Sequence, residues 1–161
     1  MKQLTLWQPW ASLIALGLKK YETRSWATNY RGKIAIHASK RPVKADELAR
    51  ISYDSIGHLE YSFLKNLEYP LGQIVAVCDL KRCLVMADGK KPVRLKGIDG
   101  GVWIDRILPL EKSVGDWQAH RYAWELHYIQ MLTKPIHARG HQGLRDVSEE
   151  ILKQLNHEIS C

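Results

Sequence analysis

The chain has 161 residues, 45% of them hydrophobic, with three cysteines and a formal charge of +7; that suffices for one ordinary core and is short for two. No apolar run reaches the roughly 18 residues needed to span a bilayer, the N-terminus lacks the pattern of a secretory signal, and three cysteines are too few for a disulfide framework. The expectation is a single soluble domain over residues 1–161, in a reducing cytoplasm and with no membrane partner.

"KQLTLW" alternates and carries β-branched and aromatic residues, so it reads as a first strand. Pro9 opens a helix, since its missing N–H is not needed in the first turn. Trp10, Leu13 and Ile14 follow at helical spacing, and Gly17 stops the helix. Residues 19–26 are predicted as a strand with Tyr21 and Thr23 on one face and Glu22, Arg24 and Trp26 on the other. "NYRG" is turn chemistry, and "KIAIHAS" is a buried strand.

"VKADELARISY" and, after a break at Gly57, "LEYSFLKNLEY" are predicted helices, ended by Pro70 and Gly72. "GQIVAVCDLKRCLVM" has the strongest strand character in the chain and is long enough to bend, whereas residues 87–101 read as a polar loop. Residues 102–108, "RYAWELHYIQML" and "KPIHAR" are further predicted strands. "SEEILKQLNHEI" is a last helix, capped by Ser148 with acids in its first turn. Helices punctuate the strands without regular alternation, which argues against a doubly wound parallel sheet. The predicted class is α+β: a mixed, mostly antiparallel barrel with peripheral helices.

Charge is unevenly placed. Residues 1–43 carry eight Lys/Arg (Lys2, Lys19, Lys20, Arg24, Arg31, Lys33, Lys40, Arg41) against the single acid Glu22, while the rest of the chain carries sixteen of each sign. A concentrated basic field favours a polyanion by counterion release; the alternative is a solvated basic face with no partner. The seven histidines are scattered. The tightest spacing, His137 to His141, lacks the helix and the glutamate of a zinc-peptidase motif, so no metal site is expected. Cys78 and Cys83 read as core thiols. No phosphate-cradling or dinucleotide motif is present, and no cofactor is expected. Most of the six tryptophans supply core area, but Trp10 and Trp26 flank the basic cluster, where an indole can stack on an unpaired base.

The cluster "GLKKYETRSW" contains the pattern G-x-K-x-x-E-x-R, formed by Gly17, Lys19, Glu22 and Arg24. With "LWQPWASLIA" before it and "YRGKIAIHAS", "GQIVAVCDL", "LEKSVGDW", "RYAWEL" and "KPIHARGHQGL" after it, the chain resembles the ASCH (activating signal cointegrator homology) family over nearly its whole length. The resemblance implies a PUA-like β-barrel with helices around it, and a cleft between the first helix and the barrel lined by the motif. It also implies association with RNA and, in some members, DNA. Some relatives are reported as ribonucleases, and a related group hydrolyses the amide of N-acetylated cytidine, so fold analogy alone assigns no reaction. In that group the position matching Glu22 carries a threonine proposed to attack the amide carbon. Glu22 has no hydroxyl and Thr23 is expected on the other strand face, which disfavours that covalent route. Asp79 matches an acidic position in the family's central strand.

Three readings follow. In the first the chain is a binding module for single-stranded or modified RNA, with single-stranded DNA or a modified nucleoside as alternatives. Phosphates would meet Arg31, Lys33, Lys40 and Arg41, and a base or nucleotide would enter at Gln8, Lys19, Glu22 and Arg24 beside Trp10 and Trp26. Lys90, Lys91, Arg94 and Lys96 of "KPVRLK" would extend the surface. In the second the same cleft belongs to a hydrolase: Lys19 after the glycine stop is free to reach either face, Glu22 activates water, and Asp79 shares the acid–base work. In the third Glu22 and Arg24 are a structural ion pair that closes the first helix onto the barrel.

Overall fold

In the computed structural model, which describes residues 1–86, 95–98, 103–104 and 107–159, the N-terminal half runs β1 (Lys2–Leu6), α1 (Trp10–Ala15), β2 (Tyr21–Arg24), β3 (Gly32–Ala38), α2 (Ala45–Asp54) and α3 (Tyr61–Asn66). The second half runs β4 (Gln73–Met86), β5 (Leu95–Gly97), β6 (Trp103–Ile104), α4 (Pro109–Val114), β7 (Tyr122–His137), β8 (Leu144–Asp146) and α5 (Glu149–Ile159). The strands form one sheet in the order β2-β7-β4-β3-β1-β8, with β5 and β6 branching from the far end of β4. Every pairing is antiparallel except β1 with β3. No helix of the described residues is long and apolar enough to cross a membrane.

The sheet is covered on both faces, which is why "KIAIHA" is apolar throughout instead of alternating. Ile34 and Ile36 point to one side, where they pack with Leu4, Leu6, Ile14 of α1, Trp124 and Leu126. Ala35 points to the other, with Ile74, Val77, Leu132, Ile136 and Leu155 of α5. A separate cluster, Leu13, Leu48, Ile51, Leu64 and Val114, joins α1, α2, α3 and α4.

The α+β class and the mostly antiparallel sheet match expectation, but the sheet is not closed into a barrel. Among the described residues its two edges do not meet: β2, of four residues, pairs only with β7, and β8, of three, pairs only with Lys2–Leu4 of β1. Beyond the end of β8, the Thr5 carbonyl accepts a hydrogen bond from Arg24 Nη2 at 3.2 Å. One guanidinium from β2 therefore bridges the gap that a backbone ladder would have closed.

Element by element, the predicted strand over 19–26 shrinks to Tyr21–Arg24, and the predicted second helix of "LEYSFLKNLEY" to α3. The strands read in "RYAWELHYIQML" and "KPIHAR" are one strand, β7. Pro135 is accommodated where the β4–β7 register is irregular, between the Ala76–Met131 and Ile74–Ile136 pairs. Only residues 103–104 of the predicted strand 102–108 are described as strand, and α4 follows with Pro109 in its first turn, a helix-start signal left unread. Within the loop read over 87–101, β5 pairs with β4 and contains Lys96; Lys90, Lys91 and Arg94 lie outside the described residues.

Candidate functional site

Gly17 sets the geometry of the charged cluster. With φ +72° it occupies the left-handed position after α1. Its N–H bonds to the Ile14 carbonyl at 2.8 Å, and the Leu18 N–H to the Leu13 carbonyl at 2.9 Å, the paired bonds of a Schellman cap. The Lys19 N–H also reaches the Leu13 carbonyl, at 3.1 Å, so the chain turns back and carries the Lys19 side chain inward.

Lys19 is 1% exposed. Its ammonium donates to the carbonyls of Tyr21 and of Val114 (2.9 Å) and lies 3.6 Å from Glu22 Oε2. Two carbonyls accept its hydrogen bonds and the carboxylate supplies a counter-charge. The expectation that this ammonium is free to reach either face is therefore overturned: it is locked between β2 and the C-terminal carbonyl of α4. Glu22, also buried, places its other oxygen 3.2 Å from Arg24 Nε, as two residues on one strand face should. Burying Lys19 and Glu22 is tolerable because the two are paired and the lysine is also hydrogen-bonded. Behind them, buried Glu111 accepts the Lys20 N–H, and burial pushes its carboxyl pKa up against the pull of Lys19.

Above this lock lies a cavity of about 440 Å³ lined by Trp7, Trp10, Glu22, Arg50, Asp116 and Arg121, among others. It adjoins a second, of about 230 Å³, through Trp7, Trp10 and Glu22; that one adds Thr5 and Arg24. Thr5 in turn borders an open groove of about 810 Å³ that contains His37, Lys40, Arg139 and Gly140. Three depressions thus run together around the end of β1. The Trp7 indole, 56% exposed, lines the first two of them. On one face it meets the Arg41 guanidinium, 4.2 Å from the ring centroid, which Glu47 clamps with bonds of 2.8 and 3.2 Å.

The structure brings Trp10, Lys19, Glu22 and Arg24 together and leaves other predicted residues elsewhere. Gln8 is wholly buried: its Oε1 accepts the Ser12 N–H at the start of α1 and its Nε2 donates to the Pro70 carbonyl. It anchors the helix and presents nothing to a ligand. Asp79 does not join Lys19 and Glu22. Glu22 is level with Trp124 and Cys83 in the sheet, whereas Asp79 lies four residues further along β4, about 13 Å away at strand rise, beside Lys33 at 3.8 Å. The expected acid–base trio is not assembled.

Trp26 packs edge-on against Trp124, with centroids 4.6 Å apart, and lines a separate depression with Tyr30 and Arg145. Arg31 donates to the Thr28 and Tyr30 carbonyls and holds its own turn. Lys40 stands on the third groove. Trp7, which the sequence does not set apart from the tryptophans expected mostly to supply core area, stands in the cleft. Arg121 and Asp116, an ion pair at 3.3 Å, and Arg50 line the first cavity. Glu111 and Asp116 lie inside "LEKSVGDW" and Arg139 inside "KPIHARGHQGL", segments whose polar residues at element ends were the available signal.

A family model described as ASCH domain matches residues 4–136 of the chain. Two curated proteins, Activating signal cointegrator 1 of Homo sapiens and of Mus musculus, are each 34% identical to it over 83 residues. That stretch is 50% of this chain and 14% of the length of each relative.

Proposed function

The chain belongs to the ASCH domain family, and from that premise we propose that it is a nucleic-acid-binding module whose ligand is single-stranded RNA. The observation that carries this reading is the pair of adjoining cavities lined by the exposed Trp7 indole, with a third groove that borders them at Thr5. An indole offers a sequence-tolerant platform for an unpaired base. Arg24 and Arg121 beside it are already paired with Glu22 and Asp116, and Lys40 and Arg139 supply basic character where the path leaves the cleft.

The hydrolase reading has less support. Both Glu22 oxygens are engaged, by Lys19 and by Arg24, and the proposed partner acid Asp79 lies outside the cleft.

The test is titration of a fluorescently labelled single-stranded RNA, read by anisotropy, against the wild type and Trp7→Ala. Loss of the stacking platform should weaken binding by about 1–3 kcal/mol with little change in the unfolding midpoint. Equal affinity for the two proteins would remove Trp7, and with it this path, from the function.

A further inference from the structure

The third depression contains a buried group that neither the cleft nor the core uses. His37 sits at an irregularity in the β3–β4 register and is 1% exposed. Its Nε2 lies 3.0 Å from the Ala138 carbonyl oxygen, a group that can only accept, so Nε2 carries the proton and donates. In the neutral ring Nδ1 is then an acceptor, and among the described residues no donor bonds to it. Such orphaned buried acceptors are rare in folded proteins.

Two further features surround this atom. Gly140 lies over the same edge of the ring: a Cβ there would stand 3.0 Å from His37 Cε1 and 3.4 Å from Nδ1. The residue over Nδ1 therefore has no side chain, and a ligand group reaches this atom only if that backbone moves outward. Lys40 and Arg139 border the groove, and among the described residues neither side chain has an ion pair or hydrogen bond. Lys2, Lys33 and Arg41, by contrast, face Asp146, Asp79 and Glu47.

Two unengaged cations next to a buried acceptor match the chemistry of a sugar-phosphate unit, in which a hydroxyl donor lies close to an anionic group. We infer that this groove is a second nucleotide subsite, in which Lys40 and Arg139 hold a phosphate and His37 Nδ1 accepts the hydrogen bond of the ribose 2′-hydroxyl. The inference rests on the reading of the chain as a single-strand binder, and it adds selection of RNA over DNA. Thr5, common to this groove and the Trp7 cleft, makes the two subsites neighbours on one strand.

The experiment compares oligouridylate, oligodeoxyuridylate and 2′-O-methyl oligouridylate of equal length, so that the base is constant and only the 2′ position varies. Wild type should bind the ribo-oligomer about five-fold more tightly than either analogue, the worth of about one net hydrogen bond. His37→Gln, whose amide nitrogen can still donate to Ala138, and Gly140→Ala should each abolish that ratio while retaining binding of the deoxy-oligomer. Lys40→Ala and Arg139→Ala should weaken all three oligomers and lower the salt slope by about one each. In the wild type, which needs no substitution to fold, the His37 Nδ1 ¹⁵N resonance should move with the ribo-oligomer and stay with the deoxy-oligomer. Equal binding of all three by wild type, a preserved ratio in both variants, or an unmoved resonance overturns the inference and leaves the Trp7 cleft standing. Binding of none overturns both.

Discussion

The Glu22 cleft and the His37 groove lie on either side of Thr5 and treat charge in opposite ways. In the cleft, Lys19 has two carbonyl acceptors and a counter-charge, Glu22 sits between two cations, and Arg121 faces Asp116. In the groove, Lys40 and Arg139 stand without partners among the described residues and His37 Nδ1 is orphaned. The densest run of charge in the sequence is thus largely spent on holding β2 against α1 and α4. The less conspicuous groove keeps its polar groups available. A charged motif marks a place where charge is needed, and only the partner list shows whether the protein or a ligand needs it.

This contrast can be broken most sharply at Glu22. Glu22→Gln removes the carboxylate paired with the buried Lys19 ammonium and leaves only the more distant Glu111, and urea denaturation should show a loss of about 3 kcal/mol. Lys40→Ala, on the open groove, should stay within about 0.5 kcal/mol of wild type. A Glu22→Gln protein as stable as the wild type would mean the cleft is not an ion lock. Next in size, Gln8→Ala orphans the Ser12 N–H and the Pro70 carbonyl and should cost about 1–3 kcal/mol. RNA affinity of the folded fraction should be unchanged, which separates an anchor from a ligand contact.

The pH dependence addresses the groove. Burial holds the His37 imidazole below its ordinary value, with the hydrogen bond to Ala138 and the nearby Gly72 backbone pulling upward and neighbouring His141 adding to the lowering. Lys40 and Arg139 also line the groove and disfavour a further positive charge. Folding therefore favours the neutral ring. The stability this confers is complete above about pH 6.5 and is lost as pH falls through the lower folded-state value. Unfolding midpoints of wild type should accordingly fall faster on acidification than those of His37→Gln, and parallel curves would remove His37 from the account. The smallest effect is in the salt dependence of RNA binding: Lys33→Ala, already facing Asp79, should leave the slope nearly unchanged, where Lys40→Ala lowers it by about one.

Residues 7 and 8 show where sequence reasoning stops. Trp7 belongs to a set of tryptophans expected mostly in the core and is exposed in the cleft, whereas Gln8 was expected at the ligand and is buried. Composition assigns tryptophan inward and glutamine outward. The Gln8 amide overrides that rule because it satisfies the first turn of α1 and the Pro70 carbonyl at once, and it leaves the neighbouring indole outside. Likewise Arg41 reads as a phosphate ligand until the fold sets Glu47 and Trp7 around it. His37 in "IAIHAS" is indistinguishable from any core histidine until Ala138 and Gly140 arrive from the other end of the chain.

What the linear chain settled is local. Gly17 as a helix stop, the apolar run of β3, the long bent β4, the Ser148 helix start and the shared face of Glu22 and Arg24 all follow from backbone preferences and periodicities that span a few residues. Only the tertiary structure decided which charges are used up. Lys33 meets Asp79 through the β3–β4 register, Lys19 meets Val114 through the docking of α4, and Arg24 takes the Thr5 carbonyl across the gap between the two edges of the sheet. The reason is physical. A charge leaves water only where a partner waits at about 3 Å, and in this protein most of those partners lie many residues away along the chain.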